Sequence, residues 1–207
     1  MKDKIVSRAT DMFLKLGFKS ITMDDIASDM CISKKTIYKF FTNKEQLIVE
    51  AANLVHRTVY DAIDQTMKSG FNPVEENFEV RKTFKAIFQA VEKSPLYQLK
   101  KHYPEIYHEV VHRERDVCHS FMRENIKKGI AEGYYRPDTD VESAVEFYYT
   151  IVFHINETNV YERDAYDKEL AALIYHTRAI ATDKGVAELE RQLAVHPEGN
   201  PSNETQI

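Results

Sequence analysis

The chain has 207 residues, 43% of them hydrophobic, with 28 Lys and Arg against 33 Asp and Glu and a formal net charge of -5. That apolar content supports a buried core and excludes a disordered chain, and no window approaches the ~18 apolar residues of a membrane span. Cys31 and Cys118 stand far apart without metal-type spacing, and the N-terminus has no apolar run before a small-residue cleavage site, so a reducing, cytoplasmic setting is expected.

Six glycines, six prolines and few strictly alternating runs point to an all-α fold. Ile5, Ala9, Met12, Phe13 and Leu16 share one face, which predicts a first helix over 3–16 stopped by Gly17. Three helix starts then follow closely. Thr22, Ser33, and Thr42 or Asn43 each offer a side-chain oxygen to an orphan backbone N–H, and Glu45 or Gln46 stands three residues on to complete a capping box. Ile26, Ala27 and Met30 give the first short helix an apolar face, Ile37, Phe40 and Phe41 the second, and Ile32 plugs the turn between them. Helices this short must pack on one another to persist. Two of them joined by a tight turn form the pattern that presents a helix to the DNA major groove.

A long helix is predicted from 44 to about 67, ending before Ser69 and Gly70, as a rod joining head to body. Pro73 opens another to about Lys93; Pro95 and Pro104 bracket a short segment, 96–102; Pro104 starts a long helix reaching 129–133. Asp140 caps the first of a last long pair, 141–159 and 165–181, each apolar on two faces. One face can serve the body and the other a second subunit, or both can meet helices of the same chain. The expected dimer stripe is Tyr148, Val152, Ile155, Leu170, Leu173, Ile174 and Thr177; the opposite stripe holds Phe147, Ile151, His154, Ala171, Ala172, Tyr175 and Ala179. The polar, breaker-rich tail, 196–207, is expected to be disordered.

Charge divides unevenly. Residues 1–50 hold nine Lys or Arg against seven acids, while the remainder holds nineteen against twenty-six. Lys34, Lys35, Lys39 and Lys44 cluster in the head, which can meet phosphate while an acidic body stays off it. His108, His112 and His119 with Asp116 run along one side of the long helix after Pro104, and histidines four apart can share a metal. A solvated helix edge accounts for them as well. No glycine-rich phosphate loop, nucleophile elbow or His-Glu-x-x-His motif occurs, so no cofactor, metal or enzymatic activity is expected.

The segments Thr22-Met-Asp-Asp-Ile-Ala27, Cys31-Ile-Ser-Lys-Lys-Thr-Ile-Tyr38, Phe40-Phe41 and Asn43-Lys-Glu-Gln-Leu47 resemble those of TetR-family transcriptional regulators. The resemblance is specific over 1–50 and rests on layout beyond it. It implies an N-terminal three-helix helix-turn-helix head (1–47) on a larger helical effector-binding and dimerisation body (48–195). By the same resemblance Thr22 and Ser33 cap helices whose N-termini face phosphate. Lys34, Lys35 and Thr36 are the base readers, Tyr38 and Lys44 hold phosphate, and Lys39 touches the backbone. Ile26, Ala27, Ile37 and Phe41 are scaffold. Two residues depart from the family pattern: Phe40 replaces a common tyrosine, and Cys31 a common glycine. Cysteine is strained at positive φ, so the turn is expected to relax, and oxidation of the Cys31 thiol would disturb docking.

The resemblance also implies a small-molecule effector among the body helices, where Tyr60, Phe84, Phe88, Tyr103, Tyr107, Phe121 and Tyr148 are candidate lining residues. The expected partners are double-stranded operator DNA, a second copy of the chain and that effector, with no membrane. The whole suggests a ligand-responsive repressor that binds a pseudo-palindrome as a dimer. The competing classes are a helical ligand carrier that does not bind DNA and a metal-dependent helical enzyme built on the histidines.

Overall fold

The computed structural model describes residues 1–196, so the expectation for the tail lies outside the described residues from 197 onward. Within them the chain forms ten α-helices: α1 (Lys2–Leu16), α2 (Met23–Asp29), α3 (Lys34–Tyr38), α4 (Lys44–Lys68), α5 (Pro73–Phe88), α6 (Pro95–His102), α7 (Pro104–Ala131), α8 (Val141–Thr158), α9 (Glu162–Ile180) and α10 (Asp183–Val195). None of these is long and apolar enough to cross a membrane.

Local chemistry sets most boundaries. Thr22 accepts from the Asp25 N–H while its own N–H donates to the Asp25 carboxylate (2.8 Å), a reciprocal capping box. Ser33 accepts from Thr36 N, and Asn43 from Gln46 N, whose side chain in turn takes the Thr42 N–H. Prolines open α5, α6 and α7, where a missing N–H costs nothing.

Two boundaries differ from expectation. α5 ends at Phe88, five residues short of Lys93, because 92–94 are drawn into an extended pairing with 160–162: Ser94 N donates to Val160 O and Glu162 N to Glu92 O, both at 3.0 Å. Ser94 also precedes Pro95, which disfavours helix at that position. And α9 is followed by a further helix, α10, capped by Thr182. Gly185 in its first turn lets it lie on the 134–135 loop, where a Cβ would stand 2.1 Å from Tyr134 O.

Two apolar clusters fill the interior. The first joins α1–α3 and the start of α4 through Ile5, Phe13, Ile26, Ile37, Phe41 and Leu47, then continues onto Leu99, Ile106 and Tyr107 of the α6–α7 corner. α4 runs unbroken through residue 48, so the apolar core crosses the 47/48 line. The second unites α5, α7, α8, α9 and α10 through Val74, Phe78, Ile126, Tyr135, Val145, Leu170, Leu173 and Leu189. Beside it lies a buried polar network. Glu76, with no solvent exposure, pairs with Lys128 and accepts from Asn125 Nδ2 (2.8 Å), while Tyr135 donates to Asn125 Oδ1 (3.3 Å).

The last long helices turn part of the expected dimer stripe inward. Leu170, Leu173 and Thr177 are at most 2% exposed inside the chain's own core. Tyr148 stacks on His176 at 4.5 Å and lines an internal cavity together with Val152; Ile155 and Ile174 are half-buried. The large apolar side chains that face outward lie on the opposite stripe, Phe147 (67% exposed), Ile151 (40%) and Tyr175 (73%), although its Ala172 is buried. Two apolar stripes on one helix look alike in sequence, and only the angle at which α8 and α9 meet α5, α7 and α10 decides which turns inward.

Candidate nucleic-acid interface and body cavity

The α2–α3 pair is built as its sequence dictates. Ile26 and Ile37 are fully withdrawn from water and fix the two helices against α1, leaving the first turn of α3 outward. Cys31 in the turn adopts φ 53°, so the left-handed conformation is kept and the expected relaxation does not occur. Lys34, Lys35, Tyr38 and Lys39 are exposed on one short helix and its C-cap, with Phe40 beside them.

Their surroundings divide them. Lys34 is tied to Asp24 (2.8 Å), whose carboxylate holds its ammonium above the ordinary lysine value, and stands 5.8 Å over the Tyr38 ring. Lys35 and Lys39 have no acidic partner among the described residues and present free charge outward. Thr36 shares a hydrogen bond with the Ser33 hydroxyl (2.8 Å), so both side chains serve the cap. Thr22 likewise serves its own helix. Its hydroxyl lies 2.7 Å from the Asp25 carboxylate, which places an acid at the N-terminus of α2. Lys44 is half-buried, donates to Lys19 O (3.3 Å) and lies 5.7 Å from the Tyr103 ring.

Below the head, α4, α5, α7, α8 and α9 enclose a cavity of about 600 Å³. Of the candidate lining residues, Tyr60, Phe84, Phe88, Phe121 and Tyr148 lie on its wall, whereas Tyr103 and Tyr107 do not. Those two belong to the junction of head and body: Tyr107 is 4% exposed in the first apolar cluster, and Tyr103 donates from its hydroxyl to Phe18 O (3.4 Å). Gln98 joins the same seam, accepting from Phe18 N (3.1 Å) against the bare Cα of Gly17. Cys118 also lines the cavity, and burial pushes its thiol up to about 12.

Three lining features escaped the sequence. Thr10, Phe13, Leu14 and Phe18 bring the head itself to the cavity wall. Arg81 enters it from α5, buried and with neither terminal nitrogen hydrogen-bonded, and Glu162 and Glu169 face the same space. Arg81 interrupts the apolar row formed by Phe78, Phe84 and Phe88, and an arginine inside an apolar helical stripe was the visible signal. The histidines do not converge. His119 packs edge-on against Tyr149 at 4.7 Å, His108 against Tyr107 at 5.3 Å, and no three candidate ligands among the described residues could hold a metal.

A capped two-helix unit with outward lysines, seated on a helical body that encloses a cavity, defines a helix-turn-helix transcriptional regulator. Residues 5–60 match the family model of bacterial regulatory proteins of the tetR family, so the head is that of a TetR-type DNA-binding regulator. It is 28% identical over 163 residues to the HTH-type transcriptional regulator YhgD of Bacillus subtilis, spanning 73% of this chain and 82% of that one. It is 25% identical over 158 residues to the HTH-type transcriptional repressor KstR2 of Mycolicibacterium smegmatis, spanning 70% and 73%. A transcriptional regulator from Cytophaga hutchinsonii shares the fold with a TM-score of 0.72 at 16% identity, covering 87% of this chain and 98% of that one.

Proposed function

We propose that the chain is a homodimeric repressor whose grip on operator DNA is released by a small molecule held in the body cavity. The observation that carries this is the shared wall: one cavity touches α5, α7 and α8 of the body and also Thr10, Phe13 and Leu14 of α1, the helix that backs the α2–α3 unit. An occupant that favours a different seating of α1 changes the spacing of two recognition helices, which must match half-sites about 34–36 Å apart. To release DNA the occupant must bind the released form more tightly than the bound one, and operator DNA must weaken its binding by the same factor.

In this reading Lys35 and Lys34 meet base edges, the latter on leaving Asp24, while Lys39 and Tyr38 meet the phosphate backbone. The second copy docks on Phe147, Ile151 and Tyr175, an exposed apolar surface of the kind that marks an interface. A ligand carrier that does not bind DNA is not favoured, because the family match falls on the head. The deciding experiment is a gel-shift with the upstream intergenic DNA of the chain's own gene, with sizing of Tyr175→Glu alongside. Retarded DNA for the wild type and a monomeric variant that no longer retards it are expected. Unretarded DNA, or a Tyr175→Glu dimer that binds normally, sinks the reading.

A further inference from the structure

The cavity wall holds a guanidinium whose terminal nitrogens make no hydrogen bond. The Arg81 side chain is only 9% exposed, its guanidinium carbon stands 3.4 Å from the Tyr166 ring centroid, and its buried Nη1 and Nη2 have no hydrogen-bond partner. The carboxylate beside it, Glu169, is 4.0 Å away, beyond hydrogen-bond reach, and accepts instead from Asn156 Nδ2 at 2.5 Å. Buried polar groups are normally paired, and a guanidinium without an acceptor is the costliest exception.

The acids of the site can relieve their own burial, and the arginine cannot. Glu162, whose Oε2 is also buried and unpartnered, is pushed up to about 7 by burial and can discharge itself by taking a proton. Glu169 is shifted in the same direction, burial again the first cause. Arginine keeps its charge at every pH a protein meets. What Arg81 lacks is a carboxylate within hydrogen-bond reach of its terminal nitrogens. Much of the rest of the cavity lining is hydrocarbon, including Val55, Val59, Phe84, Phe88 and Phe121.

We propose that Arg81 anchors a carboxylate, and that the cavity takes a molecule with one carboxylate end and an apolar body. This rests on the cavity's being the effector site. A guanidinium edge matches a carboxylate with two parallel N–H···O bonds, and water exclusion strengthens both. The stacked Tyr166 ring holds the plane of the fork, so the anion meets a preorganised partner.

The test is calorimetric titration of the full chain with decanoate, decanol and decylamine, using wild type, Arg81→Met and Arg81→Lys, each variant checked for an unchanged circular dichroism spectrum. Wild type is expected to bind decanoate about tenfold or more tighter than decanol. Arg81→Met should erase that preference while binding decanol as before, and Arg81→Lys, a point charge without the fork, should fall between. Should Arg81→Met fail to fold, Arg81→Lys alone must still narrow the decanoate-to-decanol ratio. Equal binding of decanoate and decanol, tightest binding of decylamine, binding of none of the three, or a preference that survives loss of Arg81 overturns the proposal. Operator release is measured separately. Decanoate that binds through Arg81 yet leaves the DNA complex intact removes the effector reading and keeps the anchor, whereas a neutral or cationic molecule that releases DNA from the cavity does the reverse.

Discussion

The side chains of the head most fully withdrawn from water, Ile5, Phe13, Ile26, Ile37 and Leu47, are all hydrocarbon, and its aspartates and all its lysines but the half-buried Lys44 stand outside. Comparable burial in the body takes in the carboxylate of Glu76 and the hydroxyl of Tyr135, with Arg81 close behind. The head is thus a small apolar core finished by caps, which must hold one shape to read a fixed surface. The body mixes charge with hydrocarbon around an open space. The difference separates a region closed by hydrocarbon and caps from one that mixes charge with hydrocarbon around a cavity.

The sharpest way to break this comparison is to unpair a buried charge. Lys128→Met leaves Glu76 buried without its cation and is expected to cost about 3–5 kcal/mol by urea unfolding, with part regained in the Glu76→Met/Lys128→Met double variant. A cost under ~1 kcal/mol would show that water reaches the network.

pH separates the regions next. Glu162 in the body binds its proton more tightly folded than unfolded, at about 7 against an ordinary 4.5. Its contribution is therefore complete below 4.5 and lost as pH rises through about 7, on the order of 3 kcal/mol. In the head, hydrogen bonds from Thr22 and Arg8 pull Asp25 and Asp29 below the ordinary 3.8. Their contribution is complete above 3.8 and lost only on going further into acid. Burial pulls His176 the other way from Glu162, to about 4 against 6.5, so these two contributions oppose each other from pH 5 to 7.5, and Glu162→Gln should tilt the melting-temperature slope toward greater stability at higher pH. A slope unchanged in the variant would place its origin elsewhere.

Within the head, Lys35→Ala should change which operator base is preferred, by about 1–3 kcal/mol at one position. Lys39→Ala should weaken all sequences alike and lower the salt slope by about one. Identical behaviour of the two in gel-shift titrations across salt would cancel that division. Smallest is Cys31→Gly, which removes a side chain from φ 53° and should stabilise the chain by about 1 kcal/mol in thermal melts while leaving DNA affinity unchanged.

What the sequence disclosed follows the range of the forces involved. Thr22, Ser33, Asn43, Gly17 and the three helix-opening prolines act within four residues of themselves, so the head and most helix boundaries could be read directly. Glu76 could not. In the first turn of α5 it has the look of a solvated acid complementing the helix dipole, and its partner lies at 128. The end of α5 depends on a strand-like pairing with 160–162, and the inward stripe of α8 and α9 on the packing of three other helices. Tyr103 and Tyr107 were chemically suitable for a ligand site, but the fold uses them to seat the head.

The seam made by Gln98, Tyr103 and Tyr107 bears on how such proteins are recombined. A chimera that moved residues 1–47 onto a foreign body would carry the DNA-reading surface but leave behind the acceptor for Phe18 N and the ring beside Lys44. The transferable unit is discontinuous: the N-terminal helices together with residues 94–107, a cassette in two pieces of chain.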